Sequence, residues 1–414
     1  MVPQKLLSYQ ASQSVIKVLN AGIRTELHRT CPSLRFLENL IPLKIHNLQL
    51  EPFCVTLDGI SFNIGAVKYR KLTKPEERTK ISSEAYKKLR NSVIEVFPGD
   101  VLIRAPVHRF TRIGARDITD LRMDLADMEF ADNSAENQVI REKLRFQLLP
   151  YELPTVGPIS YRIQLTVKGL NGSISHEVME YENNFHAAMR YLIAKIFLRR
   201  AVEVDHLTIK LPEACENTCF RLPPKLKLKI RKFTSSHFTR TVFSQFAANI
   251  DESSYPLKQF GYFEKQFVNA SEIPQLLNAK KLVAHGWITS KEITLTAHKR
   301  VHFSHVHHAN GAFFKEIVRI WIKHPRAVGT HFSFNLDSER SGKILLTYFE
   351  NHPKAVVGAL RTSQFQKCVI FVISSDAELA IYCKNDVVEE EGKFTKYPTI
   401  HFKVRRKGSV SRLI

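Results

Sequence analysis

From residue 151 onward the apolar residues of this chain keep switching between two spacings, and that switching limits the fold more than any other feature. "ISYRIQLTV" (159–167) alternates at period two, as a strand with one buried face does. "FHAAMRYLIAKIFLRRA" then places Met189, Leu192, Ile193, Ile196 and Phe197 at helical spacing, with basic residues at its C-terminal end, where the helix dipole favours them. "VDHLTIKL" and "KLKLKIRKF" return to strand, "RTVFSQFAANI" to helix, "PLKQFGYF" to strand, "EIPQLLNA" to helix and "KKLVAHGWI" to strand. "FFKEIVRIWIKH" reads as a further helix through Phe314, Ile317, Val318 and Trp321, and "GTHFSFNL" as a further strand. Short strands alternating with helices through tight connections predict parallel strands with helical crossovers. Because the strands begin at uneven intervals, an irregular leucine-rich-repeat-like stack fits better than a closed barrel. "CVIFVIS", "LAIYC" and "TIHFKVRR" read as plain strands capping that stack.

The opening of the chain is different. In "SQSVIKVLNAGIRTELHRTCPSLRF", Val15, Leu19, Ile23, Leu27 and Cys31 recur every four residues, close to one face of a helix. Ser12 is the expected N-cap, Gly22 the turn between two short helices, and Pro32 the stop after Cys31. A third short helix is expected through Leu34, Leu37 and Leu40. From Pro42 the period drops to two, and "VTLDGISFNIGAV" reads as two strands turning at Asp58-Gly59. The expected fold class is therefore α/β in local pattern and α+β overall. Its expected parts are a helical segment over 1–41, a small β segment over 42–71, a charged and partly helical linker over 72–150, and the strand-helix stack over 151–414. The helical hairpin buries too little apolar surface to stand alone, so its stripe needs a partner.

Composition narrows the function classes. The 414 residues include 61 Lys and Arg against 40 Asp and Glu, a net charge of +21, which suits an acidic partner, either a protein surface or nucleic acid. The basic residues are dispersed, and no helix-turn-helix, finger or RNA-binding signature accompanies them, so nucleic acid is the second choice. "FKVRRKGSVSRLI" at the end is a basic tail that could address the nucleus or contact phosphate. No apolar run reaches the roughly 18 residues a membrane helix needs. The first ten residues lack the apolar core of a signal peptide. An intracellular chain, cytoplasmic or nuclear and not secreted, is expected. Its six scattered cysteines are expected to be free and mostly buried.

Motifs for catalysis are missing. There is no Walker loop, no G-x-G-x-x-G and no G-x-S-x-G. Asp120, Asp124 and Asp127 fall at mixed spacing in a charged tract, as solvated acids do. His298, His302, His305, His307 and His308 crowd into eleven residues, with His285 upstream. No HExxH or cysteine pair accompanies them, and a solvated edge or loop is the expectation. Cys215 and Cys219 have a C-x3-C spacing without a second matched ligand pair. No metal, no cofactor and no enzymatic activity are expected.

The stretch "LLSYQASQSVIKVLNAGIRTELHRTCPSLRFLENLIPLKIHNLQL", followed by "VTLDGISFNIGAVKYR", resembles the N-terminal region of the nematode-expanded family of F-box C proteins. The likeness is clearest over 6–71 and recurs at "AAMRYLIAKIFLRRAVEVDHLTIKL" and "FKEIVRIWIKHPRAVGTHFSF". An F-box is a helical hairpin whose apolar stripe docks on the adaptor subunit of a cullin-type ubiquitin ligase. The resemblance implies a substrate-recognition subunit, with Leu6, Leu7, Val15, Leu19, Ile23, Leu27 and Cys31 facing the adaptor or the hairpin core. Its C-terminal region would then hold a target protein, of acidic character by the charge balance. In the alternative, the hairpin merely packs on its own chain.

Overall fold

The computed structural model describes residues 9–70, 79–80, 98–104, 118–130, 134–148, 159–179, 185–197, 200–211, 217–237, 239–263, 275, 278–285, 293, 296, 298–305, 311–359, 367–390 and 393–408. The fold is α+β. It divides into two compact units, one of Met1–Ile230 with Thr241–Ser254, the other of Arg231–Arg240 with Tyr255–Ile414.

The first unit opens with three short helices, α1 (Tyr9–Val18), α2 (Ala21–Thr30) and α3 (Arg35–Asn39). Asn20, not Gly22, forms the break: its side-chain oxygen accepts from Gly22 N at 2.8 Å and caps α2. Gly22 lies inside the first turn, where a Cβ would stand 2.7 Å from Leu57 O and Ile60 Cβ. It is a close-approach residue. Helix α1 begins at Tyr9, so Ser12 lies within it and is not its cap.

Next come the strands β1 (Leu43–Glu51), β2 (Cys54–Leu57) and β3 (Ile60–Arg70). The β2–β3 turn is Asp58-Gly59, with φ of 48° and 89°, as an Asp-Gly hairpin requires. Strand β3 pairs with the two-residue β4 (Thr79–Lys80). Strand β5 (Val101–Arg104) and helices α4 (Ile118–Phe130) and α5 (Ala135–Leu148) follow. Then come β6 (Ile159–Lys168), β7 (Ile174–Met179), α6 (Phe185–Phe197), β8 (Val202–Ile209) and β9 (Asn217–Phe220).

The sheet of this unit includes the order β8-β1-β2-β3-β6-β7. Strand β1 runs parallel to β8, from Leu43↔Val202 to Leu50↔Ile209. Residues 42–71 are therefore not a sheet of their own, because long-range pairing extends them into a larger one. Residues 72–150 are likewise more than a linker where they are described. Strand β5 pairs antiparallel with β9, and Val101 and Ile103 are buried. Helices α4 and α5 pack through Leu125, Met128, Leu144 and Leu148. The helix expected through Tyr86, Leu89 and Val93 lies outside the described residues. Helix α6 buries Met189, Leu192, Ile193, Ile196 and Phe197, the helical stripe of the sequence.

Strand β10 (Leu228–Ser235) runs on from the first unit into the second, and α7 (Thr239–Phe246) belongs to the first from Thr241 onward. Strands β11 (Gln259–Phe263), β12 (Leu282–His285) and β13 (Arg300–His305) follow in the second unit. Helix α8 (Gly311–Lys323), β14 (His331–Asn335), α9 (Glu339–Glu350) and the strands β15 (Ala355–Ala359), β16 (Lys367–Val372), β17 (Ala377–Glu390) and β18 (Lys393–Arg406) complete it. Strands β10 to β14 pair in parallel and in sequence. Strand β18 then adds antiparallel to β14, and β17, β16 and β15 follow antiparallel. The parallel part follows the strand-helix alternation of the sequence. Most of the helix expected at "EIPQLLNA" lies outside the described residues.

One face of this sheet is aromatic. Phe303 stacks on Phe334 at 4.6 Å, and Trp321 of α8 meets Phe332 edge-on at 5.1 Å. Trp321, Phe332 and Phe402 are fully buried. Among the described residues, no helix is long and apolar enough to cross a membrane. Trp321→Ala should cost about 3–5 kcal/mol, read as a lower urea midpoint with an unchanged slope.

Candidate functional site

The N-terminal hairpin has its polarity inverted. Its packed side seals an ionic cluster beside Ile16, Ala21 and Leu37, and its outer side carries several large apolar residues. On α2 the buried residues are Ala21, Gly22, Arg24 and Thr25, at positions i, i+1, i+3 and i+4 of one face. This face meets the β2–β3 turn. Asp58 accepts His46 N and Asn47 N at 2.8 Å through one carboxylate oxygen and Ala21 N at 3.4 Å through the other. A carboxylate at a helix N-terminus is favoured by the unpaired amides there.

Arg24 is the centre of the packed side. Its guanidinium donates to Glu38 Oε1 at 3.0 Å, Pro42 O at 2.9 Å and Ile41 O at 2.9 Å. Glu38, on α3, is 1 % exposed and takes a second guanidinium, that of Arg200 just beyond α6. Arg200 Nε also donates to Ile196 O at 2.7 Å, on the last turn of α6. His28 Nδ1 stands 3.2 Å from the other Glu38 oxygen. Burial holds His28 below its ordinary range, and Arg200 and Arg35 push the same way against the pull of Glu38. The apolar contribution of the hairpin to its own packing is small, namely Ile16 of α1 with Leu37 and Ile41.

The stripe expected to face an adaptor splits in the structure. Val15 is 44 % exposed and Ile23 is 37 % exposed, while Leu19, Leu27 and Cys31 are half-buried. Leu6 and Leu7 lie outside the described residues. Four further apolar residues stand out from the same helices and their flanks: Tyr9, Val18, Phe36 and Leu40. Val18 is 82 % exposed and Phe36 is 73 % exposed. A strict repeat of four misses Val18, three residues after Val15 on the same helix, and it misses Phe36 and Leu40 because the chain changes phase at Asn20 and again at Pro32. Apolar side chains clustered on a surface signal an interface more strongly than scattered ones do.

The other candidates of the sequence resolve as architecture. Two of the histidines, His298 and His302, do not lie in a solvated edge or loop. His298 is buried, with Nε2 2.7 Å from Ala279 O and Nδ1 accepting Arg300 N at 3.0 Å. His302 is buried on the sheet with Nδ1 2.9 Å from Ser333 Oγ. His285 lies beside Ser304 Oγ. His305 lies on β13, and His307 and His308 fall outside the described residues. On β13 alternation sends His302 to the sheet's second face, away from Val301 and Phe303, and that face is itself covered in places. Cys219 is buried and free, and Cys215 lies outside the described residues. Asp120, Asp124 and Asp127 all lie on α4. Among the described residues no three His, Cys, Asp or Glu converge on a metal position.

A family model described as a domain of unknown function, DUF3557, matches residues 184–338, from α6 to just past β14. No curated protein and no solved structure matches the chain.

Breaking a buried ion pair strands the surviving charge. Glu38→Ala should therefore cost about 3–5 kcal/mol in denaturant melts. Arg29→Ala, which removes the half-buried pair with Glu26, should cost about 1 kcal/mol or less.

Buried imidazoles set the pH response. Burial, reinforced by Arg221 and Arg190, pushes His186 down to about 3. Burial with neighbouring lysines pushes His331 down to about 4. The unfolded chain takes up these protons near pH 6.5, and the folded chain takes them up only lower. Stability is thus whole above about pH 7 and lost as pH falls toward about 4. Thermal midpoints should be level above neutrality and drop through that window. A midpoint that stayed level or rose on acidification would contradict this account.

Proposed function

We propose that this chain is a non-catalytic substrate-recognition subunit whose N-terminal hairpin binds the adaptor of a cullin-type ubiquitin ligase. The observation that supports this most is the inverted packing. A hairpin serving only its own chain would turn Val15, Val18, Ile23, Phe36 and Leu40 inward and leave Arg24 and Glu38 to water. Here the ionic side is sealed and the apolar side is left over. Leaving large apolar residues in water forgoes roughly 1.5–3 kcal/mol for each one that could be buried. A partner surface recovers that energy.

The sequence resemblance to F-box C proteins supplies the kind of partner. An F-box presents such a strip to its adaptor, and the residues exposed here belong to the stretch that carries the resemblance. The rest of the chain, a sheet with short parallel strands and covering helices, suits the presentation of a surface to a target. Such platforms work by complementarity around a few anchors.

Co-purification of the full chain with a cullin-ligase adaptor tests this. The wild-type chain should hold the adaptor. Val18→Asp with Phe36→Asp should weaken the complex by about tenfold or more without lowering the thermal midpoint, since both side chains stand largely in water. Failure of the wild-type chain to retain any adaptor would refute the proposal. So would a double variant that binds as tightly as wild type.

A further inference from the structure

The second face of the sheet in the second unit carries a line of basic residues. Residues that pair across strands lie level and point to the same side. On the register that includes Phe260, Leu282, Val301, Phe332 and Phe402, every side chain is buried on the aromatic face. One residue away along each strand, the side chains turn to the other face. Lys232 pairs there with Gln259, and Arg300 pairs with His331, which pairs with Lys403. Lys281, one residue before Leu282, falls level with Arg300, one residue before Val301. Six consecutive strands thus contribute Lys232, Gln259, Lys281, Arg300, His331 and Lys403 to one row. Adjacent members are about 4.8 Å apart along it.

Three cations of the row, Lys281, Arg300 and Lys403, lack an ion-pair partner among the described residues, with Asp386 acting on Lys281 only from a distance. Lys281 and Arg300 are exposed, and His331 and Lys403 are half-buried. Elsewhere in this unit basic chains do find acids: Lys367 meets Glu350 at 3.0 Å and Lys384 meets Asp386 at 2.8 Å. The cations of the row also repel one another. Lys403 is held below its ordinary range by burial first and then by Arg405, Arg300 and Lys384. Like charges aligned at this spacing cost free energy unless something neutralises them.

We propose that this row is a docking face for an acidic polypeptide segment, whose carboxylates seat over Lys281, Arg300 and Lys403. The inference rests on the recognition-subunit reading in one respect, that it gives the target its place and its chemistry. A protein ligand fits better than single-stranded nucleic acid. Binding of single strands relies on free aromatic faces as stacking platforms. The rings beside the row are already engaged: Tyr382 lies on His401 at 4.8 Å and 10°, and His401 lies against His331 at 5.3 Å.

The test is fluorescence anisotropy on the full chain with three short labelled probes: an alternating Glu-Gly peptide, its Gln-Gly counterpart and an oligouridylate. The Glu-Gly peptide should bind, more weakly as salt is raised, and the Gln-Gly peptide should not. Lys281→Glu with Arg300→Glu should lower Glu-Gly affinity by about tenfold or more. Lys323→Glu with Lys354→Glu, exposed positions off the row with the same change in net charge, should leave it within about twofold. Equal losses in the two double variants would reduce the effect to bulk charge and overturn the proposal. Oligouridylate binding that alone depends on the row would overturn it in favour of nucleic acid. Adaptor co-purification is read on the same variants. A wild-type chain that holds the adaptor and ignores the Glu-Gly peptide defeats this inference alone, and the reverse pattern defeats the adaptor reading alone.

Discussion

Glu38 is the residue on which the N-terminal half of the structure turns. A carboxylate this deeply buried is tolerated only if charged donors surround it, and Arg24 and Arg200 do so from two directions. Arg24 comes from α2, Glu38 from α3 and Arg200 from the end of α6, so one anion holds three segments that are far apart in sequence. Ion pairs are directional where apolar contacts are not. Once Arg24 is committed to Glu38 and to the carbonyls of Ile41 and Pro42, the rotation of α2 about its axis is set. Ile23, the residue before it on the helix, then turns away from the packed side. The exposed strip follows from the buried charge.

The second unit solves a different problem with the same economy of parts. Its sheet buries phenylalanines and Trp321 on one face under α8 and α9, whose apolar residues fall at helical spacing. That leaves the opposite face to polar side chains. Near the strand middles, His302, Ser333 and His401 are buried and linked to neighbours. Near the strand starts, the polar side chains are basic and open. One sheet therefore grades from a closed polar interior to an accessible cationic margin within two residues of strand.

The periodicities of the sequence foretold much of this and failed in instructive places. Strand-helix alternation after residue 151 was legible because each element's period reflects a single buried face, and α6 and α8 bury the residues that their spacing named. The hairpin strip was legible only in part. A repeat of four drifts against the 3.6-residue turn, and the breaks at Asn20 and Pro32 reset the phase, so Val15 and Ile23 share exposure while Leu19 and Leu27 sink partway. Phe36 and Leu40 could not be assigned by period on a helix as short as α3. Parallel pairing of β1 with β8, and the salt link from Glu38 to Arg200, depend on segments that no local pattern connects. His302 was misplaced because alternation tells which residues leave the aromatic face, and says nothing about whether the other face is wet.

The basic excess of the chain acquires a different meaning once its members are sorted by partner. Arg24, Arg200 and Arg221 are sealed against Glu38 and Asp100, where each charge is fixed and an unmatched one would unfold the chain. Lys229, Lys367 and Arg319 lie in exposed pairs that screening leaves weak. Each buried carboxylate serves two guanidiniums, Glu38 those of Arg24 and Arg200 and Asp100 those of Arg221 and Arg190, so these clusters keep a net positive charge that is enclosed by the fold. Among the described residues, Lys281, Arg300 and Lys403 make no ion pair, and they fall in one row across β12, β13, β14 and β18. Cations in register on a stiff sheet lose little conformational freedom when an anionic chain arrives, because the backbone already holds their spacing. Their mutual repulsion, a cost in the free protein, is relieved on binding. Attraction then follows the local density of cations along the row more than the net charge of the whole chain.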